Sequence, residues 1–159
     1  MLVQEEVRIT REPKEERRLI VLIFGSRKFN EKELPGCYEY LARRCIHVML
    51  GVQGRCISQG FKPDWLIISG GATGADSLAK RFAKDMSYPF VEYLPQFKRE
   101  GIPYRPEFKR HYYLRDMEMA EACYVGIGFL VKQVGSNKGS RLTITGLLDR
   151  HKEIHIFYK

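Results

Sequence analysis

The stretch from Trp65 to Lys80, W-L-I-I-S-G-G-A-T-G-A-D-S-L-A-K, constrains the fold of this chain more than any other. Trp65, Leu66, Ile67 and Ile68 form a continuous apolar run, the pattern of a strand buried on both faces of a parallel sheet. Gly70, Gly71 and Gly74 follow, and Ala75, Leu78, Ala79, Phe82, Ala83 and Met86 then recur at helical spacing. Strand, glycine turn and helix in that order set backbone N–H groups and the positive end of a helix dipole at the carboxyl edge of a sheet. An anion is favoured at such a place. The same residues also suit a plain βα turn, with Thr73 as N-cap and Asp76 completing a capping box.

The pattern recurs along the chain. Leu19 to Phe24 is a second continuous apolar run, closed by Gly25-Ser26-Arg27. A helix is predicted to start between Glu31 and Pro35, with Asn30 and Glu33 as a capping box. Leu34, Tyr38, Leu41, Cys45, Val48, Met49 and Val52 carry it to Gly51 or Gly54. Gly51, Gly54, Gly60 and Pro63 then mark a long loop before Trp65. Phe90–Leu94 reads as a strand, Pro95–Pro106 as loop, Glu107–Ala122 as helix and Tyr124–Leu130 as a strand whose glycines let a ligand or backbone approach closely. Gly135-Ser136-Asn137-Lys138-Gly139-Ser140 is another glycine-rich turn. A short helix bearing Leu142, Ile144, Leu147 and Leu148 follows it, then a last strand, Ile154–Tyr158.

Strands alternating with helices predict an α/β chain: a Rossmann-like three-layer domain, its mostly parallel sheet of about five to seven strands carrying helices on both faces. Ligands of such sheets sit at the carboxyl ends of the strands, near the point where strand order reverses. The three glycine-rich turns, 25–27, 70–76 and 135–140, all fall on that edge. Residues 1–18, with five basic and five acidic side chains, read as a charged leader with a short strand at Val7–Thr10. Residues 19–159 read as a single domain.

Charge and side-chain chemistry narrow the partners. The net charge of +8 favours polyanionic or phosphorylated ligands. Lys98, Arg99, Arg105, Lys109, Arg110 and Arg115 supply much of it, interleaved with Phe97, Tyr104, Phe108, Tyr112 and Tyr113. Such a mixture suits a nucleobase beside its phosphates or a single strand of nucleic acid. It equally suits a solvated loop whose aromatics anchor in the core. Arg27, directly after the first strand, is placed to clamp a phosphate or carboxylate. Arg115 interrupts the otherwise apolar stripe Phe108, Tyr112, Met119, Ala122, so it meets either an acidic partner, Asp76 or Asp116, or an anionic ligand. Asp76 is a general base, a ribose hydroxyl acceptor or a capping acid. Cys37, Cys45, Cys56 and Cys123 include no metal-ligand spacing and the histidines none either, so no metal and no cofactor is expected. The cysteines read as reduced, packed thiols of a cytoplasmic protein. No apolar run reaches the ~20 residues needed to span a bilayer, so no membrane partner is expected.

With G-S-R-K-F at 25–29, I-I-S-G-G-A-T-G-A-D-S-L-A at 67–79, Y-L-R-D-M at 113–117 and G-S-N-K-G-S at 135–140, residues 19–158 resemble the YspA/YpsA-related branch of the SLOG superfamily. That superfamily includes DprA and the LOG phosphoribohydrolases. The resemblance implies a Rossmann-like fold that binds a nucleotide or nucleotide-derived small molecule. It implies that Gly25, Ser26 and Arg27 line the first turn, and that Gly70, Gly71, Thr73, Gly74 and Asp76 form a central cradle. Arg115 matches the family arginine, with Asp116 where an asparagine is usual, and Gly135, Ser136, Gly139 and Ser140 close over a phosphate. Where the LOG enzymes place a catalytic glutamate after the last glycine turn, this chain has Arg141, Leu142 and Thr143, against hydrolysis by their mechanism. The first expectation is therefore a nucleotide-binding protein or sensor without turnover. The alternatives are a nucleotide hydrolase using Asp76 with Arg27 or Arg115, and DprA-like binding of single-stranded DNA. The superfamily also implies pairing into a homodimer.

Overall fold

The computed structural model describes residues 13–133 and 135–159. The strand expected at Val7–Thr10 lies outside them. The chain is α/β: β1 (Glu16–Gly25), α1 (Cys37–Ser58), β2 (Lys62–Gly70), α2 (Ala75–Asp85), β3 (Phe90–Tyr93), the single turn α3 (Gln96–Arg99), a 3-10 turn at Pro106–Phe108, α4 (Lys109–Ala122), β4 (Val125–Leu130), α5 (Lys138–Asp149) and β5 (Glu153–Tyr158). The five strands form one sheet in the order β3-β2-β1-β4-β5, parallel throughout.

Alternation along β1 builds the three layers. Leu19, Val21 and Ile23 face a core shared with α1 and α2, while Ile20, Leu22 and Phe24 face a second core containing Met119 and Ala120 of α4 and Leu147 of α5. Both faces being apolar is why the sequence shows an unbroken run rather than alternation. The four cysteines are free and buried within these cores, as small apolar side chains.

Several boundaries differ from the sequence reading, each for a physical reason. β1 begins at Glu16, within the segment read as leader, because its polar end pairs with β2 through Glu16↔Lys62 and Arg17↔Pro63. Pro63 is tolerated in β2 because β3 pairs only with Ile67 to Gly70, leaving β2 locally an edge at Pro63. Helix α1 starts after Pro35, and its Gly36 and Tyr38 N–H groups donate to the Glu31 carboxylate. Asn30 accepts the Glu33 N–H at 2.9 Å, so that pair forms a turn ahead of the helix instead of its cap.

The expected loop at 51–64 is largely helix. Gly51 and Gly54 do not end α1, because the stripe Cys45, Val48, Val52 and Cys56 remains buried across them. Packing of that stripe outweighs the ~1 kcal/mol helical cost of each glycine. Nothing lies within 4 Å of where a Gly51 Cβ would sit. Gly51→Ala is therefore expected to stabilise the fold by about 0.5–1 kcal/mol, measured by chemical denaturation.

The glycines of β4 serve packing. A Cβ at Gly126 would lie 2.7 Å from the Leu147 side chain, and one at Gly128 would lie 2.7 Å from the Phe24 ring. They admit core side chains, where the sequence reading left room for a ligand or backbone.

Candidate functional site

Strand order reverses between β1 and β4, so the chain leaves these neighbours toward opposite faces of the sheet. A crevice opens there at the carboxyl edge. The turns around it are tightly joined. The Ser26 N–H donates to the Phe129 carbonyl at 2.9 Å, and the Ser26 hydroxyl donates to the Ser136 carbonyl at 2.9 Å. The Ala75 N–H donates to the Ser26 carbonyl at 3.2 Å. Across the third turn, the Asn137 amide accepts the Val131 N–H at 3.0 Å and donates to the Val131 carbonyl at 2.7 Å.

The crevice holds a cavity of about 780 Å³, within the ~300–1,000 Å³ range typical of small-molecule sites. Gly25, Ser26 and Arg27 line it from the first turn, and Gly135, Ser136, Gly139 and Ser140 line it from the third. Asp76 and Arg115 form part of its wall. Gly70, Gly71, Thr73 and Gly74 are not on its lining. Gly70 lies under the Arg115 and Asp76 side chains, and Gly71 faces the Glu92 carboxylate. Gly74, at φ 79°, is buried against the Ser26 and Arg27 carbonyls. Thr73 is exposed and is not the N-cap of α2; Gly74 takes that place with no side-chain cap. The Asp76 carboxylate instead accepts the Ala72 N–H at 3.2 Å. The N-terminus of α2 is thus already occupied by Ser26's carbonyl and by an acid.

Helix α5 is different. Its N-cap, Asn137, makes no side-chain cap bond because its amide is spent on Val131. The first-turn N–H groups at Lys138, Gly139 and Ser140 therefore keep the positive end of the dipole at the cavity.

Arg115 is buried and pairs with Asp116, one of its two candidate acids. Its Nε donates to the Asp116 carboxylate at 2.8 Å and an Nη donates to the Tyr93 carbonyl at 3.1 Å, while the residue still borders the cavity. The Arg115 guanidinium and the Asp76 carboxylate both come within 3 Å of where a Gly70 Cβ would lie, at 2.8 and 2.9 Å. Burial pushes the Asp76 carboxyl up from 3.8 to about 7, against the opposing pull of the Ala72 N–H and Arg115. Burial also holds the Asp116 carboxyl above its ordinary value, although Arg115 pulls it down.

The basic, aromatic-rich segment divides. Phe97 is buried, with Tyr104, Phe108, His111 and Tyr112 rings packed around it at centroid distances of 5.5–6.0 Å. The His111 Nδ1 accepts the Phe97 N–H at 3.1 Å. Most of these aromatics therefore anchor a loop; Tyr112 and the exposed Tyr113 also border the cavity. Lys109 and Arg110 reach it too, joined by Lys28 and Lys138, which the sequence reading did not single out. Their signal was position: each lies in or next to a glycine turn. Thr143, one helical turn after Ser140, was likewise missed as a site residue. Among the described residues no cluster of three or more histidine, cysteine or acidic side chains is arranged to hold a metal ion. No described helix is long and apolar enough to cross a membrane.

In comparison with known proteins, no family model matches this chain and no curated protein does so significantly.

Proposed function

We propose that the chain binds a nucleotide or nucleotide-derived small molecule in the cavity between the β1 and β4 ends, as a binding protein or sensor. The observation that carries this reading is the uncapped N-terminus of α5 opening on a cavity with cations on its rim and tyrosines on one wall. The helix end and cations favour phosphate, and the exposed Tyr113 offers a ring face to a base. The motif resemblance to the SLOG superfamily supports the same reading. A small molecule is favoured over single-stranded DNA because Phe97, Tyr104 and Phe108 are engaged with one another rather than presented as stacking platforms.

Lys138→Glu separates binding from stability. Lys138 is exposed at the start of α5, where an acid interacts favourably with the helix dipole, so the fold is expected to be unharmed. Affinity for nucleoside phosphates, read as ligand-induced thermal stabilisation, is expected to fall about tenfold or more, as for loss of a charge-assisted contact. Equal stabilisation of the variant and the parent would place the site elsewhere. A steep loss of oligonucleotide binding with salt, without a mononucleotide response, would favour the DNA-binding alternative.

One observation favours a second reading, a nucleotide hydrolase. Asp76, with its carboxyl pushed to about 7, lines the cavity beside Arg115, and a general acid works best near the operating pH. Such an enzyme would add water across the N-glycosidic bond, releasing free base and a ribose phosphate. Incubation with nucleoside monophosphates across pH 5–9 tests it. No free base at any pH retires the hydrolase and leaves the binding protein.

A further inference from the structure

Two hydroxyls in the cavity wall have no hydrogen-bond partner among the described residues. Ser140 and Thr143 are 6% and 4% exposed, both line the cavity, and neither side chain is hydrogen-bonded to a described residue. They lie three residues apart, so they share a face of α5. Hydroxyls on helices ordinarily bond back to the carbonyl four residues earlier when nothing else engages them. Thr145 does so to Arg141 at 3.0 Å, and Ser58 to Gly54 at 3.1 Å. Neither Ser140 nor Thr143 does, and neither oxygen is sealed from the cavity space. Both hydroxyls therefore open on the cavity as donors free to meet an acceptor. Beside the first-turn N–H groups of α5, they suit an acceptor-rich ligand.

The charge around them indicates how anionic that ligand is. Arg115 is paired with Asp116. Arg27, Lys28, Lys109, Arg110 and Lys138 also line the cavity, and none makes a salt bridge with a described residue. Lys28 reaches only the neutral Gln133 amide, at 3.2 Å. With Arg115 the five make six cations against two carboxylates, Asp76 and Asp116, on the same lining, an excess that a single phosphate, at about −1.5 to −2, would not balance. The cavity's volume lies in the upper part of the usual range, leaving room for more than one such group.

Resting on the nucleotide-binding reading above, we propose that Thr143 is a ligand-binding residue. With Ser140 and the first turn of α5 it seats one phosphate of a nucleotide that carries two or more. The further phosphates lie along Arg27, Lys28, Lys109 and Arg110.

The test is calorimetric titration of the full chain with inorganic phosphate, pyrophosphate and tripolyphosphate, then with nucleoside mono- and diphosphates of all four bases. Affinity is expected to rise about tenfold or more from phosphate to pyrophosphate, as a charge-assisted contact is gained. Thr143→Val keeps the side chain's shape and removes only the hydroxyl. It is expected to weaken pyrophosphate about tenfold while leaving the melting temperature essentially unchanged, since the hydroxyl bonds no described residue. Thr145→Val, whose hydroxyl is already bonded on the helix, is expected to leave binding unchanged. Equal affinity for phosphate and pyrophosphate, or a Thr143→Val variant that binds as the parent does, overturns the proposal. Nucleoside monophosphates binding as tightly as diphosphates would sink it while sparing the nucleotide reading. Pyrophosphate binding that no nucleoside diphosphate improves upon would do the reverse. Absence of any binding would end both.

Discussion

Gly25→Ala is expected to cost about 4 kcal/mol or more, read as a lowered denaturation midpoint or loss of soluble folded protein. Gly25 closes β1 and stands in register with Phe129 of β4. A Cβ there would lie 2.1 Å from the Phe129 carbonyl oxygen and 2.7 Å from the Ala75 Cβ. Neither neighbour can rotate away, because one is backbone in a paired strand and the other is a Cβ at the start of α2. That carbonyl also accepts the Ser26 N–H, so moving it would release the first turn from β4. The added methyl must part β1 from β4 or lift α2, and either change opens the crevice between the turns. Were Gly25→Ala to fold with the parent's stability, the close joining of these turns would be wrong. Gly51→Ala serves as the contrast: the same substitution, in open space on a helix, with the opposite expected sign.

That contrast marks where sequence reading stops. The three-layer fold was legible because Leu19–Phe24 and Trp65–Ile68 must bury both faces, and only a covered parallel sheet does that for short unbroken apolar runs. The polar strand ends were not. Glu16–Arg18 and Lys62–Asp64 belong to strands through backbone pairing, which leaves no hydrophobic signature. Glycine was ambiguous for a related reason. Gly25 and Gly74 permit close approach of backbone, Gly126 and Gly128 admit core side chains, and Gly51 does neither. The residue type reports freedom, and only its neighbours report the use made of it.

At the site, Arg115 was legible as an anomaly, a cation in an apolar stripe, and Asp116 was one of its two named partners. The relative roles of the glycine turns were not. The central turn matches the most specific motif, yet its helix end is filled by the Ser26 carbonyl and the Asp76 side chain. The third turn keeps its helix end open because Asn137 bonds Val131, a contact across six residues that no spacing rule announces. Lys28, Lys138 and Thr143 were hidden by being ordinary surface residue types whose placement depends on that turn.

Asp76→Asn is expected to stabilise the protein at pH 8 by up to about 4 kcal/mol and to change little at pH 4. The carboxyl is raised from 3.8 to about 7, chiefly by burial. The unfolded chain therefore gives up this proton at lower pH than the folded one. Stability drawn from the protonated form is full below about pH 4 and declines as pH rises toward 7, by ~1.4 kcal/mol for each unit between the two values. Burial is what favours the neutral group. The Ala72 N–H, Arg115 and the Ser69 hydroxyl pull the carboxyl down, but burial outweighs them. Asparagine is neutral at every pH, and its oxygen can keep the Ala72 N–H. Arg115, the cation beside the group, retains Asp116 and the Tyr93 carbonyl, so the substitution leaves its charge partnered. The measurement is denaturant unfolding of both proteins from pH 4 to 8, with the difference between them plotted against pH. A difference that grows with pH locates a proton on Asp76 near neutrality, the state from which it could act as an acid toward a bound nucleotide. A variant less stable than its parent by a constant amount would mean that Asp76 is ionised throughout, held by Arg115, and would remove the observation that favours a hydrolase.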